Sequence, residues 1–221
     1  VGNVNLGSSS PTKHEVSREF FGEMSETILE KFLEGKSQTL WYVAEKGFRT
    51  QIPALPMGLL SGSFAPLHEG HRTLRIVAEQ ILGSPVFFEL SISNAEKPSL
   101  RSDAVIRRCL QFEDAPVVFT HEARFDRKSL LFPKMVFVAG IDTAIRICNS
   151  YFYGSNPANR DDALELLEKQ GCRFLIAGRK IHDRFVTVAN LKVESRFRSL
   201  FEEIPEEKYR VDLSSTELRE R

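Results

Sequence analysis

The chain has 221 residues, 42% of them hydrophobic and 27% charged, which gives one globular core with room for an appendage and too little chain for two full α/β domains. Its 30 Lys and Arg balance 30 Asp and Glu, so no global field recruits nucleic acid or an anionic membrane, and any phosphate binding has to be local.

In chain order, residues 1–13 are rich in Gly, Ser and Asn and read as a linker. The first residue is Val1 rather than Met, which suggests a fragment of a longer polypeptide or a processed chain. No charged-then-apolar leader follows, and no apolar run approaches the ~18–20 residues that cross a bilayer. From His14 to Phe32, the residues Phe20, Phe21, Met24, Ile28, Leu29 and Phe32 recur at three- and four-residue steps, which predicts a helix with one greasy side. "TLWYVAEKGF" then reads as a short extension strand. Residues 1–50 are therefore expected to be a linker and N-terminal helical arm, the remnant of a longer protein or a packing element on the main domain at 51–221.

Beyond Pro53 strand and helix alternate. "MGLLSGSF", "SPVFFELSIS", "APVVFTH", "MVFVAGID" and "CRFLIAGRK" are short apolar runs of the kind buried on both faces of a parallel sheet. Helices are predicted after the first of these, at "SDAVIRRCLQFE", at 142–151 and at 161–170. Right-handed βαβ units of this kind predict a doubly wound, Rossmann-like open parallel sheet with helices on both faces. The cysteines Cys109, Cys148 and Cys172 are odd in number, far apart and set in apolar sequence. That pattern suggests neither a disulfide framework nor a zinc site, and a reducing, cytoplasmic compartment fits it best.

Ligands of such sheets bind beyond the carboxyl ends of the strands, and "GSFAPLHEGH" lies at one such end. Gly62 and Ser63 permit a tight turn, Pro66 stiffens the loop, Gly70 allows close approach, and His71 enters the next helix. The first-turn N–H groups of that helix, with His68 and His71, make an anion cradle. A zinc hydrolase would need H-E-x-x-H; here the histidines are three apart with a glycine between them. Two incidental loop histidines are the plain alternative, weakened by the strand in front and the helix behind. His121, His182, Trp41 and the mixed charges of "FEEIPEEKYR" read as loop, packing or solvated residues.

"GSFAPLHEGH" resembles the signature of the HxGH nucleotidylyltransferase superfamily, and "SSTELR" at 214–219 resembles its second motif, in the same order. The resemblance covers roughly residues 57–221, with the length between motifs and "AGIDTAIRI" looking most like nicotinamide-mononucleotide adenylyltransferases of a divergent branch. It implies nucleotidyl transfer from ATP to a phosphorylated small-molecule acceptor, with nicotinamide mononucleotide first, AMP ahead of CMP, and pyrophosphate as product. Phosphopantetheine adenylyltransferase-like or cytidylyltransferase-like activity, or a catalytically silent nucleotide-binding or regulatory module, are the alternatives. Neither a nucleic-acid nor a membrane partner is implied, and self-association is left open.

The same resemblance implies the roles. His68, His71 and Arg219 would be catalytic, on the α-phosphate, the triphosphate and the leaving phosphates. Gly62, Ser63, Phe64, Gly70, Ser214, Ser215 and Thr216 would hold the nucleotide. Lys97, Gly140, Asp142 and Arg179 would face the acceptor or a ribose, although helix capping explains Asp142 equally well, and a solvated lysine nearly as well explains Lys97. Mg2+ would arrive on the triphosphate, held by phosphate oxygens and water because the sequence offers no acidic cage.

Overall fold

The computed structural model describes residues 24, 26–52, 54, 56–93, 102–181 and 183–210. Among the described residues there are ten strands: β1 (Thr39–Val43), β2 (Gly47–Arg49), β3 (Gly58–Ser61), β4 (Val86–Ser91), β5 (Val117–Thr120), β6 (Val136–Gly140), β7 (Arg173–Ala177), β8 (Arg179–Ile181), β9 (Arg184–Val186) and β10 (Phe201–Ile204). Helix α1 covers residues 26–33. It is followed by α2 (Glu69–Leu82), α3 (Ser102–Cys109), α4 (Phe125–Leu131), α5 (Ile141–Cys148) and α6 (Pro157–Lys169).

Eight strands form one sheet in the order β10-β7-β6-β3-β4-β5-β1-β2, while β8 and β9 make a separate hairpin. From β10 through β5 all neighbours are parallel. The chain builds outward from β3 to β4 and β5, then returns to lay β6, β7 and β10 on the other side of β3. The sense of winding therefore reverses between β3 and β6, where a crevice opens at the strand ends.

The sheet explains the apolar runs. Alternate residues of each strand enter opposite cores: Leu60, Phe88, Val117 and Val138 pack with α1, α2 and α3, while Leu59, Val118, Phe137 and Ile176 pack with α5 and α6. The doubly wound α/β class expected from sequence is the class observed. All three cysteines are free and buried, and no helix among the described residues is long and apolar enough to cross a membrane.

Several elements differ from expectation. The extension strand is a hairpin, β1–β2, joined antiparallel to β5, with Trp41 paired to Val118. In α1, Leu29 and Phe32 are buried, whereas Met24, expected on the greasy side, is exposed; the first part of that predicted helix lies outside the described residues. "FEEI", expected within a solvated face and turn, is instead the edge strand β10, in which Phe201 and Ile204 are buried and both glutamates are exposed. Helix α4 and the β8–β9 hairpin carry no strong periodicity and were not anticipated. His121 is more than a loop histidine: its Nε2 lies 2.8 Å from the Phe32 carbonyl and its ring packs on Phe32, fixing α1 to the end of β5.

Candidate functional site

The first motif folds as its residue types require. Gly62 leaves β3 with its N–H donated to the Glu89 carbonyl at 3.0 Å, and a Cβ there would stand 2.9 Å from the Phe64 ring. Only glycine lets that ring fold back beneath the turn. Phe64 has φ +44, a left-handed conformation costly for a bulky residue. Its burial offsets that cost: the ring stands edge-on to Phe88, Phe112 and His71 at 5.2, 5.4 and 5.1 Å. Arg108, at the end of α3, donates to the Ser63 carbonyl at 2.9 Å and also to the Phe64 carbonyl. Gln111 Oε1 accepts the Leu67 N–H at 2.8 Å. The loop is thus clamped from the α3 side by residues that sequence reasoning passed over.

His68 is the N-cap of α2 and His71 stands in its first turn. Their rings stack with centroids 3.7 Å apart. His71 Nδ1 accepts the backbone N–H of His68 at 3.3 Å. In the neutral ring the proton is therefore on Nε2, which makes that nitrogen a donor. Burial, and then the neighbouring His68, push the His71 pKa down to about 4, and burial lowers His68 as well. The pair enters the site as neutral imidazoles, not as two cations.

A cavity of about 250 Å³ lies at the ends of β3, β6 and β7, lined in part by Gly62, His68, His71, Gly140, Asp142 and Arg179. Six of the predicted site residues therefore meet in one hollow. Gly140 is the N-cap of α5 and has no side chain to bond the first turn; a Cβ there would touch nothing within 4 Å, so the position opens onto free space. Asp142 is not the cap. Its carboxylate takes Arg179 Nη1 at 2.6 Å, closing a link from α5 to β8 across the cavity mouth.

Other predicted residues stand elsewhere. Phe64 is core, Ser63 is exposed beside the loop, and Gly70 is buried in the first turn of α2; none of these three lines the hollow. Their part is to shape the backbone. Lys97, Ser214, Ser215, Thr216 and Arg219, together with the discounted His182, lie outside the described residues. Tyr209 and Arg210, the last described residues before that second motif, are irregular.

Sequence reasoning missed Ser61, Thr143, Gly178 and Tyr209, which also line the cavity. Tyr209 donates its hydroxyl to the Gly70 carbonyl at 3.1 Å, and burial pushes its pKa up to about 12. The contact spans 139 residues of sequence, and no local pattern announces such a pair. It fixes the start of the C-terminal segment to the H-E-G-H turn.

With this geometry in hand, comparison with known proteins is decisive at the level of the family. The model of the family described as cytidylyltransferase-like matches residues 59–221. The chain belongs to the cytidylyltransferase-like family. That family is part of the HxGH nucleotidylyltransferase superfamily, and membership makes the chain a nucleotidyltransferase by descent. Neither a curated protein nor a solved structure matches the chain. The crevice between β3 and β6 holds the two imidazoles.

Proposed function

We propose that the protein transfers a nucleotidyl group from a nucleoside triphosphate to a phosphorylated small molecule, with ATP as donor and nicotinamide mononucleotide as the first acceptor to test. An acceptor phosphate oxygen attacks the α-phosphorus; the new P–O bond forms as the bond to the bridging oxygen breaks, and pyrophosphate leaves with that electron pair. Such a reaction needs alignment and neutralisation of charge more than covalent participation by the protein.

The observation carrying this reading is the convergence of His68 and His71 with Gly140, Asp142 and Arg179 on one cavity at the winding reversal. His71 Nε2–H donates to phosphate oxygens of the triphosphate, where charge grows as the reaction proceeds. The paired Asp142 keeps a carboxylate oxygen for a sugar hydroxyl, and Arg179 keeps further N–H groups for the acceptor. Ser215, Thr216 and Arg219 are assigned to the leaving phosphates.

Magnesium belongs to this reading as a companion of the triphosphate. Among the described residues no group of three or more His, Cys, Asp or Glu could hold a metal, so phosphate oxygens and water would supply its ligands. The test is product detection by mass spectrometry from ATP or CTP paired with nicotinamide mononucleotide, phosphopantetheine and simple alcohol phosphates. A nucleotidylated acceptor supports the reading and names the pair. Triphosphate binding with no product from any pair turns it to the silent module.

A further inference from the structure

Ser61 is the last residue of β3 and lines the cavity. Its Oγ is buried and has no hydrogen-bond partner among the described residues. A buried hydroxyl without a partner forfeits its hydration for nothing and is rarely retained without a use. The nearest cross-strand acceptor makes its bonds elsewhere. Ser61 is in register with Glu89 on β4, but one Glu89 oxygen accepts Thr120 Oγ1 at 2.8 Å and the other accepts Lys128 Nζ at 2.6 Å.

Strand periodicity fixes which side of the hollow this hydroxyl serves. Ser61 has the parity of Leu59, which packs in the core with α5 and α6, whereas Leu60 packs with α2. The Ser61 side chain thus belongs to the α5 side of the cavity, across from the imidazoles on α2. The neighbouring α5 start has no side-chain cap, and its first-turn N–H groups are donors of the kind helices leave unpaired. On the α2 side, His71 offers Nε2–H. The carboxylate of Asp142, the acidic side chain in the lining, is engaged by Arg179. Donors on both sides of a small hollow suit a group that only accepts and has several oxygens, which is the chemistry of a phosphate.

We propose that the Ser61 hydroxyl donates to a phosphate oxygen of the bound nucleotide, making Ser61 a direct phosphate ligand opposite the histidines. The assignment rests on the nucleotidyl-transfer site described above but concerns binding, so the two can fail separately. The experiment measures calorimetric affinity for inorganic tripolyphosphate and for ATP, together with the melting temperature of the free protein, in wild type, Ser61→Ala and Ser61→Thr.

The expected result is a loss of about ten-fold or more for both ligands in Ser61→Ala, the scale of a hydrogen bond to a charged group. Retention in Ser61→Thr, which keeps the hydroxyl, and an unchanged or higher melting temperature in Ser61→Ala complete it, because an unpartnered polar atom has been removed. Ala affinities within two-fold of wild type overturn the assignment. So does a loss confined to ATP, which would put the hydroxyl on the nucleoside, or a large drop in melting temperature with affinity intact, which would make it structural. If wild type binds neither ligand, the phosphate site itself is refuted; if it binds both but turns over no acceptor, Ser61 stands and the transfer reaction falls.

Discussion

His71 holds three properties in one ring: an accepted backbone N–H that fixes its tautomer, a stacked neighbour, and a pKa near 4 against an ordinary 6.5. As pH falls below about 6.5 the unfolded chain takes up a proton that the folded ring refuses. Stability present above that pH is therefore lost progressively toward pH 4. Urea midpoints at pH 7.5 and 5 should show this loss in wild type, and His71→Asn should reduce it; equal losses in both would mean that other groups carry the dependence. Tyr209→Phe removes one hydroxyl from a single contact with Gly70. A cost of about 1 kcal/mol in denaturant unfolding is expected, with weaker triphosphate binding because the C-terminal segment is no longer fixed at that turn.

Among the elements, α3 matters through its far end. Arg108 bonds two carbonyls of the 62–66 loop, whereas its neighbour Arg107 pairs with Asp103 on the surface. Arg108→Ala should weaken ATP binding several-fold in calorimetry while Arg107→Ala leaves it unchanged; matching effects would show that helix charge, not the clamp, is responsible. This difference also marks what the sequence could disclose. The apolar runs of β3 to β7 are legible because strands buried on both faces must be continuously apolar. The H-E-G-H turn is legible because glycine, proline and histidine each answer a local constraint. β10 was illegible because an edge strand needs only Phe201 and Ile204 inward, so its two glutamates mimic a loop. The Arg108 clamp, the Tyr209 contact and the Asp142 to Arg179 pair join residues distant in sequence, and neither spacing nor periodicity records such pairs.

Across the whole molecule, the sheet carries charge through its interior next to the cavity. Glu89 on β4 and Lys128 on α4 are both buried, 2.6 Å apart, with Thr120 on β5 completing the set. Lys128→Met would leave the Glu89 carboxylate buried without its cation, a change expected to cost about 3–5 kcal/mol. Adding Glu89→Leu should recover much of that in denaturant unfolding. No recovery in the double variant would show that the pair is needed beyond its mutual neutralisation. The packed sheet thus holds the ends of β3, β6 and β7 in place, and the remaining question is whether chemistry follows.

Pyrophosphate release from ATP or CTP in the presence of phosphorylated acceptors, compared between wild type and His71→Ala, addresses that most directly. Transfer at this cavity predicts pyrophosphate in step with nucleotidylated product in wild type, and a fall of about 10²–10³-fold in His71→Ala with the fold retained, the scale of losing one preorganised donor. Wild-type rates matched by a folded His71→Ala protein, or no pyrophosphate from any pairing of triphosphate and acceptor, would contradict it.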